Sequence, residues 1–368
     1  MKIVLLVSSL GAGGAERVAT TLCSAWAARG DEVTLVATFS GSGECAFPLD
    51  DAVHLIFLSD YVGGSKGLGK RYGARLRALR QLIRDERPDV VISFLPNVNI
   101  AALAATAFSG VPCIVCERSD PRVQPIGWVW RAACGLLYRY ADVVSVQTLG
   151  VANSIRRVYG GLGKVVAVPN PLPLELLHWH AGASSKSRRT ILSLGRLSGE
   201  KRVHVIIEVF SQLAKAHPDW DLAIYGDGPE RDALRLRISE LGLQDRVFLK
   251  GRTSEPWRVM SEADVFVLAS CYEGFPNTLL EAMGVGLACI STDCPSGPSE
   301  ITREGADALL VGVDDQAGLR DALERLMCSD SLRSELGERA RASVVDRYAL
   351  DLILSHWDRL FATAGGRV

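Results

Sequence analysis

Residues 3–7 (IVLLV), followed by residues 11–17 (GAGGAER), decide the fold of this chain. Five consecutive apolar residues predict a buried strand, and the glycines after them predict a tight turn into a helix over residues 15–28. A continuously apolar strand is typical of a parallel sheet, because such a sheet is covered on both faces. The beginning of the sequence therefore predicts a strand–turn–helix unit of an α/β protein.

The same alternation of strands and helices continues in two series. The first series of predicted strands is residues 3–7, 33–37, 54–58, 90–94, 113–116, 143–146 and 165–168, with further helices such as residues 100–108. The second series is residues 190–194, 222–225, 247–249, 265–268, 289–291 and 309–311. Between the two series, a proline-rich segment at residues 169–173 and a polar one at residues 181–187 are typical of a linker.

Two consecutive doubly wound, Rossmann-like domains are the predicted organisation, in agreement with a length of 368 residues. We expect residues 1–170 to form the first domain and residues 171–350 the second. We expect residues 351–368 to form a C-terminal helix that packs back on the first domain. Because open α/β sheets bind ligands at the carboxyl ends of their strands, a ligand is expected in a cleft between the two domains.

Composition limits the class of protein. Hydrophobic residues make up 48% and charged residues 23%, and no apolar run of eighteen residues occurs, so we expect a globular protein without a membrane-spanning helix. Nine scattered cysteines, an odd number, predict reduced thiols, and Cys113 and Cys116 have no second pair at metal-site spacing. The short apolar N-terminal run is interpreted as a strand and not as a signal peptide.

A net charge of −1 conceals an asymmetry between the two halves. Residues 1–170 carry 18 basic and 13 acidic side chains, and residues 171–368 carry 23 and 29. The first half is therefore expected to meet an anionic surface or ligand. Nucleic acid is a poor candidate partner, because the whole chain is slightly acidic and contains no recognised nucleic-acid-binding module.

The glycine-rich turn departs from the dinucleotide-binding pattern. Glu16 occupies the third glycine position of G-x-G-x-x-G, and no acidic residue ends the second predicted strand. Two interpretations remain open for Gly13 and Gly14: an ordinary strand–helix turn, or a turn whose backbone N–H groups approach a diphosphate.

Four charged positions in the second half suit a nucleotide diphosphate. Arg196 and Lys201 flank a turn after a predicted strand, where a guanidinium and an ammonium would hold a diphosphate from two sides; solvated surface cations are the alternative. Residues 273–281 (EGFPNTLLE) place Glu273 before a helix start and Glu281 inside the helix. Both carboxylates can then face one ligand, where they would accept hydrogen bonds from hydroxyl groups.

Together these motifs resemble family-4 retaining glycosyltransferases of the GT-B fold. Residues 13–17 (GGAER), Gly195-Arg196 with Lys201, residues 226–229 (GDGP) and Glu273-x7-Glu281 occur in the order of that family. The resemblance implies two Rossmann-like domains facing each other across a cleft, and transfer from a nucleotide-diphosphate sugar with retention, without a metal or other cofactor. It implies that Arg196 and Lys201 bind the diphosphate, that Glu281 binds ribose hydroxyls and that Glu273 contacts the donor sugar. The further donor-binding residues that it implies are Gly13, Gly14, Gly226, Phe275, Asn277, Thr278 and Leu279.

A narrower resemblance concerns the acceptor. Residues 93–99, 117–119 and 292–300 resemble bacterial members that extend undecaprenyl-diphosphate-linked oligosaccharides, often with galactose, glucose or N-acetylgalactosamine (GalNAc) from UDP. One departure concerns catalysis: many members have a histidine where this chain has Arg118, after Glu117. An arginine is not a general base at neutral pH, so the leaving diphosphate would accept the proton while Arg118 or Glu117 positions groups.

A basic amphipathic helix is predicted between Gly64 and Pro88. Its leucines recur at helical spacing, and the charged positions assigned to the acceptor or the membrane are Lys70, Arg71, Arg75, Arg77, Arg80 and Arg84. A solvated helix face is the alternative to binding the anionic inner surface of the cytoplasmic membrane or a lipid diphosphate. A second patch with an interfacial composition is Trp128, Trp130, Arg131, Tyr138 and Arg139; core packing of its tryptophans is the alternative.

The sequence thus predicts a cytoplasmic, membrane-associated glycosyltransferase. Two other functions stay open: a sugar-nucleotide epimerase of similar architecture, and a catalytically silent sugar-nucleotide-binding subunit. The basic helix argues against the epimerase, and the missing histidine is the support for the silent subunit. The donor sugar, the linkage and the oligomeric state are not determined by the sequence.

Overall fold

The computed structural model describes residues 1–11, 13–39, 45–62, 68–123, 127–182 and 188–365, without the side chains of residues 68–71. The strands are β1 (Lys2–Val7), β2 (Glu32–Ala37), β3 (His54–Phe57), β4 (Val90–Phe94), β5 (Cys113–Cys116), β6 (Val143–Val146), β7 (Lys164–Ala167), β8 (Arg189–Leu194), β9 (Trp220–Tyr225), β10 (Val247–Gly251), β11 (Val265–Leu268), β12 (Ala288–Thr292) and β13 (Leu309–Val311). The helices are α1 (Gly14–Ala28), α2 (Leu68–Glu86), α3 (Pro96–Thr106), α4 (Trp128–Leu137), α5 (Leu149–Tyr159), α6 (Val203–Leu213), α7 (Arg231–Glu240), α8 (Pro256–Ser261), α9 (Asn277–Val285), α10 (Pro298–Ile301), α11 (Gln316–Cys328), α12 (Asp330–Tyr348) and α13 (Leu350–Ala364).

Every predicted strand is present, with ends that differ by at most two residues from the expected ones. The apolar runs define the strands because both faces of each sheet are buried. The helix predicted over residues 100–108 begins earlier, at Pro96. Proline is favourable in the first turn of a helix, where its missing N–H has no intrahelical partner.

Two parallel sheets organise the chain. The first has seven strands in the order β3-β2-β1-β4-β5-β6-β7, and the second has six in the order β10-β9-β8-β11-β12-β13. In each sheet the strand order reverses once, between β1 and β4 and between β8 and β11. Such switch points leave a crevice at the carboxyl ends of the two central strands, where open α/β sheets bind ligands. The prediction of two doubly wound α/β domains is confirmed.

The chain divides into two compact units. Unit 1 comprises residues 1–171 and 351–368, and unit 2 comprises residues 172–350. Within unit 1, Trp26 of α1 packs edge-on against Trp357 of α13 with ring centroids 5.7 Å apart. Arg29 adds two hydrogen bonds of 2.9 Å to the Asp358 carboxylate. Helix α13 therefore belongs to the core of the unit that contains the N-terminal strand.

A helix can span a membrane only if it is long enough and sufficiently apolar. None of the described helices combines the length and the apolar composition that a transmembrane span needs.

Unit 2 contains a close approach of two loops that positions its switch point. The N–H of Gly195, after β8, donates to the carbonyl of Tyr225 (3.0 Å), and the N–H of Leu197 donates to that of Asp227 (3.0 Å). Gly226 has a φ of +141°, and a Cβ atom on it would lie 1.8 Å from the Gly195 carbonyl oxygen. Only glycine fits this position, so the GDGP sequence after β9 has a packing role in holding the loop after β8.

We expect Gly226→Ala to destabilise the protein by about 1–3 kcal/mol or more, because the added methyl group meets rigid backbone at a φ that favours glycine. Chemical denaturation, with the free energy of unfolding extrapolated to water, measures the effect. Gly199→Ala is the matched control, since a Cβ atom on Gly199 would meet nothing within 4 Å. Equal unfolding free energies for the Gly226→Ala variant and the unmodified protein would contradict this account.

Candidate functional site

The switch point of the six-stranded sheet brings together charged residues that are far apart in the sequence. Arg196 lies two residues after β8, and Glu273 lies in the loop between β11 and α9. Because β8 and β11 are neighbouring parallel strands, their following loops lie at the same edge of the sheet. The loop after β8 continues through a short 3₁₀ turn, Gly199–Lys201, which presents Lys201 towards the loop after β11.

An ion pair joins the two loops. The Lys201 ammonium donates to Oε1 of Glu273 at 2.6 Å, and the Ser270 hydroxyl donates to the same oxygen at 2.7 Å. Glu273 is only 8% exposed, whereas the Lys201 side chain is 23% exposed. In the described part of the chain both hydrogen bonds of this carboxylate end on Oε1, so its Oε2 is the atom that can accept from a ligand hydroxyl group.

Arg196 differs from Lys201 in having an exposed side chain. No hydrogen bond or ion pair of its guanidinium occurs within the described residues. Arg196 and Lys201 nevertheless line one small pocket, together with Gly195, Leu197 and Ala269. The pocket thus has one cation in an ion pair with a carboxylate and one, Arg196, that forms no ion pair among the described residues; the two cations together can bind an anion.

The start of α9 contains the other predicted donor-binding residues. Phe275 is buried against Tyr348, with ring centroids 6.0 Å apart, and Asn277 and Thr278 are half-buried. The N–H of Asn277 donates to the Phe275 carbonyl at 2.9 Å, and the N–H of Leu279 donates to the Pro276 carbonyl at 3.0 Å. These two N–H groups therefore already have backbone acceptors.

Glu281 lies within α9 and is 2% exposed. The indole N–H of Trp257, on α8, donates to its Oε2 at 3.3 Å. Neither Trp257 nor Ser270 was predicted as a partner, because both lie in segments without a sequence motif.

In unit 1, the predicted glycine-rich loop forms the start of α1. Gly13 is the N-cap residue, in an extended conformation, and Gly14 begins the helix. Ser9 donates to Oε1 of Glu16 at 3.2 Å, and a Cβ atom on Gly13 would meet the other Glu16 oxygen at 2.2 Å. Glu16, which breaks the dinucleotide pattern, therefore folds back over the turn and covers Gly13.

Glu117 belongs to a buried polar network and not to an open surface. It follows β5, is 2% exposed, and accepts a hydrogen bond from the Tyr138 hydroxyl. The Asn99 side chain donates to that hydroxyl at 2.9 Å, and the Ser93 hydroxyl donates to Asn99 at 2.8 Å. Burial raises the pKa of the Glu117 carboxyl from its ordinary 4.5 to about 7.

Arg118, at the position where the resemblance implies a histidine, is held from two sides. Its guanidinium lies 3.6 Å above the Phe94 ring, and its Nη1 donates to the Asn170 side chain at 2.9 Å. Its Nε and Nη2 atoms are buried and have no hydrogen-bond partner within the described residues. Burial lowers the pKa of this guanidinium to about 10, so it remains a cation at neutral pH with donors available for an anion.

Two family models match the chain in succession. The model for glycosyl transferase 4-like domains matches residues 13–171, and the model for glycosyl transferases group 1 matches residues 180–343. Together they span both units. The chain belongs to the glycosyltransferases that these two models describe.

Two curated relatives of this glycosyltransferase come from Campylobacter jejuni. One is named GalNAc-alpha-(1->4)-GalNAc-alpha-(1->3)-diNAcBac-PP-undecaprenol alpha-1,4-N-acetyl-D-galactosaminyltransferase; it is 28% identical, and the alignment covers 98% of each chain. The other is named N-acetylgalactosamine-N,N'-diacetylbacillosaminyl-diphospho-undecaprenol 4-alpha-N-acetylgalactosaminyltransferase; it is 27% identical over 94% of this chain and 96% of the relative.

Solved structures confirm the fold. Anabaena HepE in complex with UDP superposes with a TM-score of 0.84, covers 99% of this chain and 100% of its own, and is 17% identical. At this identity the likeness concerns the fold alone, which is that of GT-B glycosyltransferases. The predicted GT-B fold is thereby confirmed, and the two family models confirm the predicted resemblance to glycosyltransferases.

The basic helix of the glycosyltransferase is α2, with Leu79 and Ile83 in the core of unit 1. Arg77, Arg80 and Arg84 are exposed, whereas Arg75 is half-buried. The side chains of Lys70 and Arg71 lie outside the described part of the structure.

The predicted aromatic patch is only partly at the surface. Trp128 is 82% and Trp130 is 38% exposed, so neither is a core residue. Including Tyr138 in the patch was wrong: it is fully buried, because the end of α4 turns it inward to donate to Glu117.

The raised pKa of Glu117 predicts a pH-dependent stability. Between pH 4.5 and 7 the folded protein keeps this carboxyl protonated while the unfolded chain loses the proton, so the free energy of unfolding falls as the pH rises. We expect a loss of about 3 kcal/mol in this window from the one group, and no such loss in Glu117→Gln. Urea unfolding of both proteins at pH 5 and pH 8 measures the difference. The same pH dependence in both proteins would contradict a buried, protonated Glu117.

Proposed function

We propose that the protein is a retaining glycosyltransferase that moves a hexose or N-acetylhexosamine (galactose, glucose or GalNAc) from a UDP-sugar to an undecaprenyl-diphosphate-linked saccharide. The observation that carries the proposal is the exposed Arg196, which forms no ion pair in the described part of the chain, beside the Lys201–Glu273 pair at the switch point of unit 2. Such an arrangement suits a donor that combines a diphosphate with hydroxyl groups. The acceptor class rests on the two Campylobacter relatives, which align with the chain almost from end to end.

The donor diphosphate would bind Arg196 and Lys201. The guanidinium offers two parallel N–H groups, and the ammonium offers a point charge that the nearby Glu273 keeps in place. Glu273 would use its second oxygen to accept from a hydroxyl of the donor sugar. Glu281, held by Trp257, would accept from the ribose.

Fixed cations would also serve the chemical step. As the bond between the sugar and the diphosphate breaks, negative charge develops on the diphosphate, and preorganised positive groups stabilise it. Arg196 and Lys201 supply two such groups, so we propose that the transfer requires no metal. As the bond to the diphosphate breaks, the acceptor oxygen would bond to the anomeric carbon on the same face, and its proton would pass to the departing diphosphate. Bond formation on that face retains the anomeric configuration. The alpha linkages in both relatives' names support retention from an alpha-linked donor.

Arg118 and Glu117 would have different roles. Arg118, with two buried donors available, would contact an anionic group of a substrate. Glu117 lies behind it and is bound to Tyr138, so it is a positioning residue that orients the end of β5.

The acceptor would be met at the inner face of the cytoplasmic membrane, with the protein bound peripherally. The arginines of α2 and the exposed Trp128 and Trp130 combine cationic and aromatic groups, which favour an anionic lipid surface.

We expect Arg196→Ala to weaken UDP binding about 10- to 100-fold, because a charge-assisted hydrogen bond to the diphosphate is lost. Isothermal titration calorimetry with UDP measures the effect, and thermal unfolding confirms that the variant is folded. Arg235→Ala is the matched control: its side chain is 63% exposed and pairs with Asp232 on α7. Unchanged UDP affinity in Arg196→Ala would contradict the assigned donor site.

Activity is tested by UDP release from UDP-galactose, UDP-glucose and UDP-GalNAc in detergent, with and without an undecaprenyl-diphosphate-linked saccharide. We expect release that requires one of these donors and the lipid acceptor, that EDTA does not reduce, and that yields a product with the donor's anomeric configuration by NMR. UDP binding without turnover on any pair would favour the silent sugar-nucleotide-binding subunit. Loss of activity in EDTA would refute the metal-independent mechanism.

A further inference from the structure

Unit 1 contains an apolar pocket of about 240 Å³ that no proposed role has used. Two helices form most of it, and the lining residues of each recur at helical spacing. On α2 they are Tyr72, Gly73, Arg75, Leu76 and Leu79, and on α3 they are Asn97, Ile100, Ala101 and Ala104. Thr38 and Phe39 after β2, Leu58 after β3 and Trp130 of α4 complete the described lining.

Small side chains on the facing helices are the reason for the space. Gly73 of α2 and Ala101 and Ala104 of α3 lie at positions where larger residues would close the gap between two packed helices. A Cβ atom on Gly73 would meet nothing within 4 Å. Glycine within an exposed helix lowers helix stability by about 1 kcal/mol relative to alanine. The stability of α2 therefore gives no reason for a glycine at position 73.

The pocket is apolar inside and cationic at its edge. The Arg75 guanidinium lies over the Phe39 ring at 5.2 Å and donates to the Phe39 carbonyl at 3.4 Å. Five residues further along α2, Arg80 donates to the Ala104 carbonyl at 2.9 Å, which joins α2 to the end of α3. Tyr72 and Trp130, at the mouth, are 46% and 38% exposed. The complementary ligand has an apolar chain attached to an anionic group.

We propose that this pocket binds the isoprene units of the acceptor lipid that lie next to its diphosphate, with the arginines of α2 facing the diphosphate. The proposal rests on the proposed function for the identity of the lipid. Pockets that bury a whole drug-sized ligand measure about 300–1,000 Å³. A pocket of about 240 Å³ therefore suits a short segment of a long chain, with the remainder left in the bilayer.

Binding of farnesyl diphosphate, a short isoprenoid diphosphate, tests the proposal when it is compared with binding of inorganic diphosphate. Calorimetry is carried out on the full chain with saturating UDP, so that the donor site is occupied. We expect farnesyl diphosphate to bind at least about tenfold more tightly, since burying apolar carbons adds affinity that inorganic diphosphate lacks. Equal affinities for the two compounds would overturn the proposal.

Two variants that fill the pocket locate the site. Gly73→Leu adds a side chain into open space, and Ala104→Leu adds one from the opposite helix. We expect each to weaken farnesyl diphosphate binding about fivefold or more and to leave the affinity for inorganic diphosphate unchanged. Gln81→Leu, at an exposed position of α2 outside the pocket, is the matched control. Folded variants that bind farnesyl diphosphate like the unmodified protein would overturn the proposal.

Transfer assays on the same proteins separate this proposal from the proposed function. One outcome is that the unmodified protein prefers farnesyl diphosphate to inorganic diphosphate, that Gly73→Leu and Ala104→Leu lose this preference, and that no UDP-sugar supports transfer. That outcome would support the lipid site and refute the transferase. Transfer to the undecaprenyl acceptor without any preference for farnesyl diphosphate would refute the lipid site alone.

Discussion

Backbone packing between the loops that follow β8 and β9 is the constraint on which the proposed donor site depends. Gly226 lies so close to the Gly195 carbonyl that no side chain fits between them, and two hydrogen bonds fix the loops to each other. The loop after β8 cannot relax, so Arg196 remains at the surface without needing a partner of its own. A cation held by its backbone and not by a carboxylate is preorganised for an anion, because binding does not first have to break an ion pair.

Lys201, in contrast to Arg196, forms an ion pair with a carboxylate. Its pairing with Glu273 connects loops 72 residues apart, and it restrains a flexible side chain that would otherwise lose rotamer freedom on binding. Glu273 is buried and the Lys201 side chain is 23% exposed, so the cost of removing both charges from water offsets much of their attraction, and the pair contributes little net stability. Its value is geometric: it holds an ammonium and a carboxylate side by side, and a phosphorylated sugar offers a partner to each of them.

The sequence predicted the strands well and the side-chain partners poorly, for one physical reason. Strands such as β4 and β11 are uninterrupted apolar runs between turn residues, and that is local information. The contact between Lys201 and Glu273 depends on β8 and β11 being neighbours, which the order of the sheet determines and no local pattern encodes. Tyr138 illustrates the limit: among tryptophans and arginines it looks interfacial, yet the turn at the end of α4 directs it into the core.

Helix α3 connects two features of unit 1, the buried polar network around Glu117 and the apolar pocket. One face carries Asn99, which is fully buried and binds the Tyr138 hydroxyl behind Glu117. The adjoining face carries Ala101 and Ala104, which leave the apolar pocket open towards α2. Because the buried network fixes the rotation of α3 about its axis, it also determines which residues border the pocket. Because polar contacts hold the inner face of α3, its outer face does not need large residues for packing. The small residues on that outer face leave the space in which we propose that a lipid chain binds.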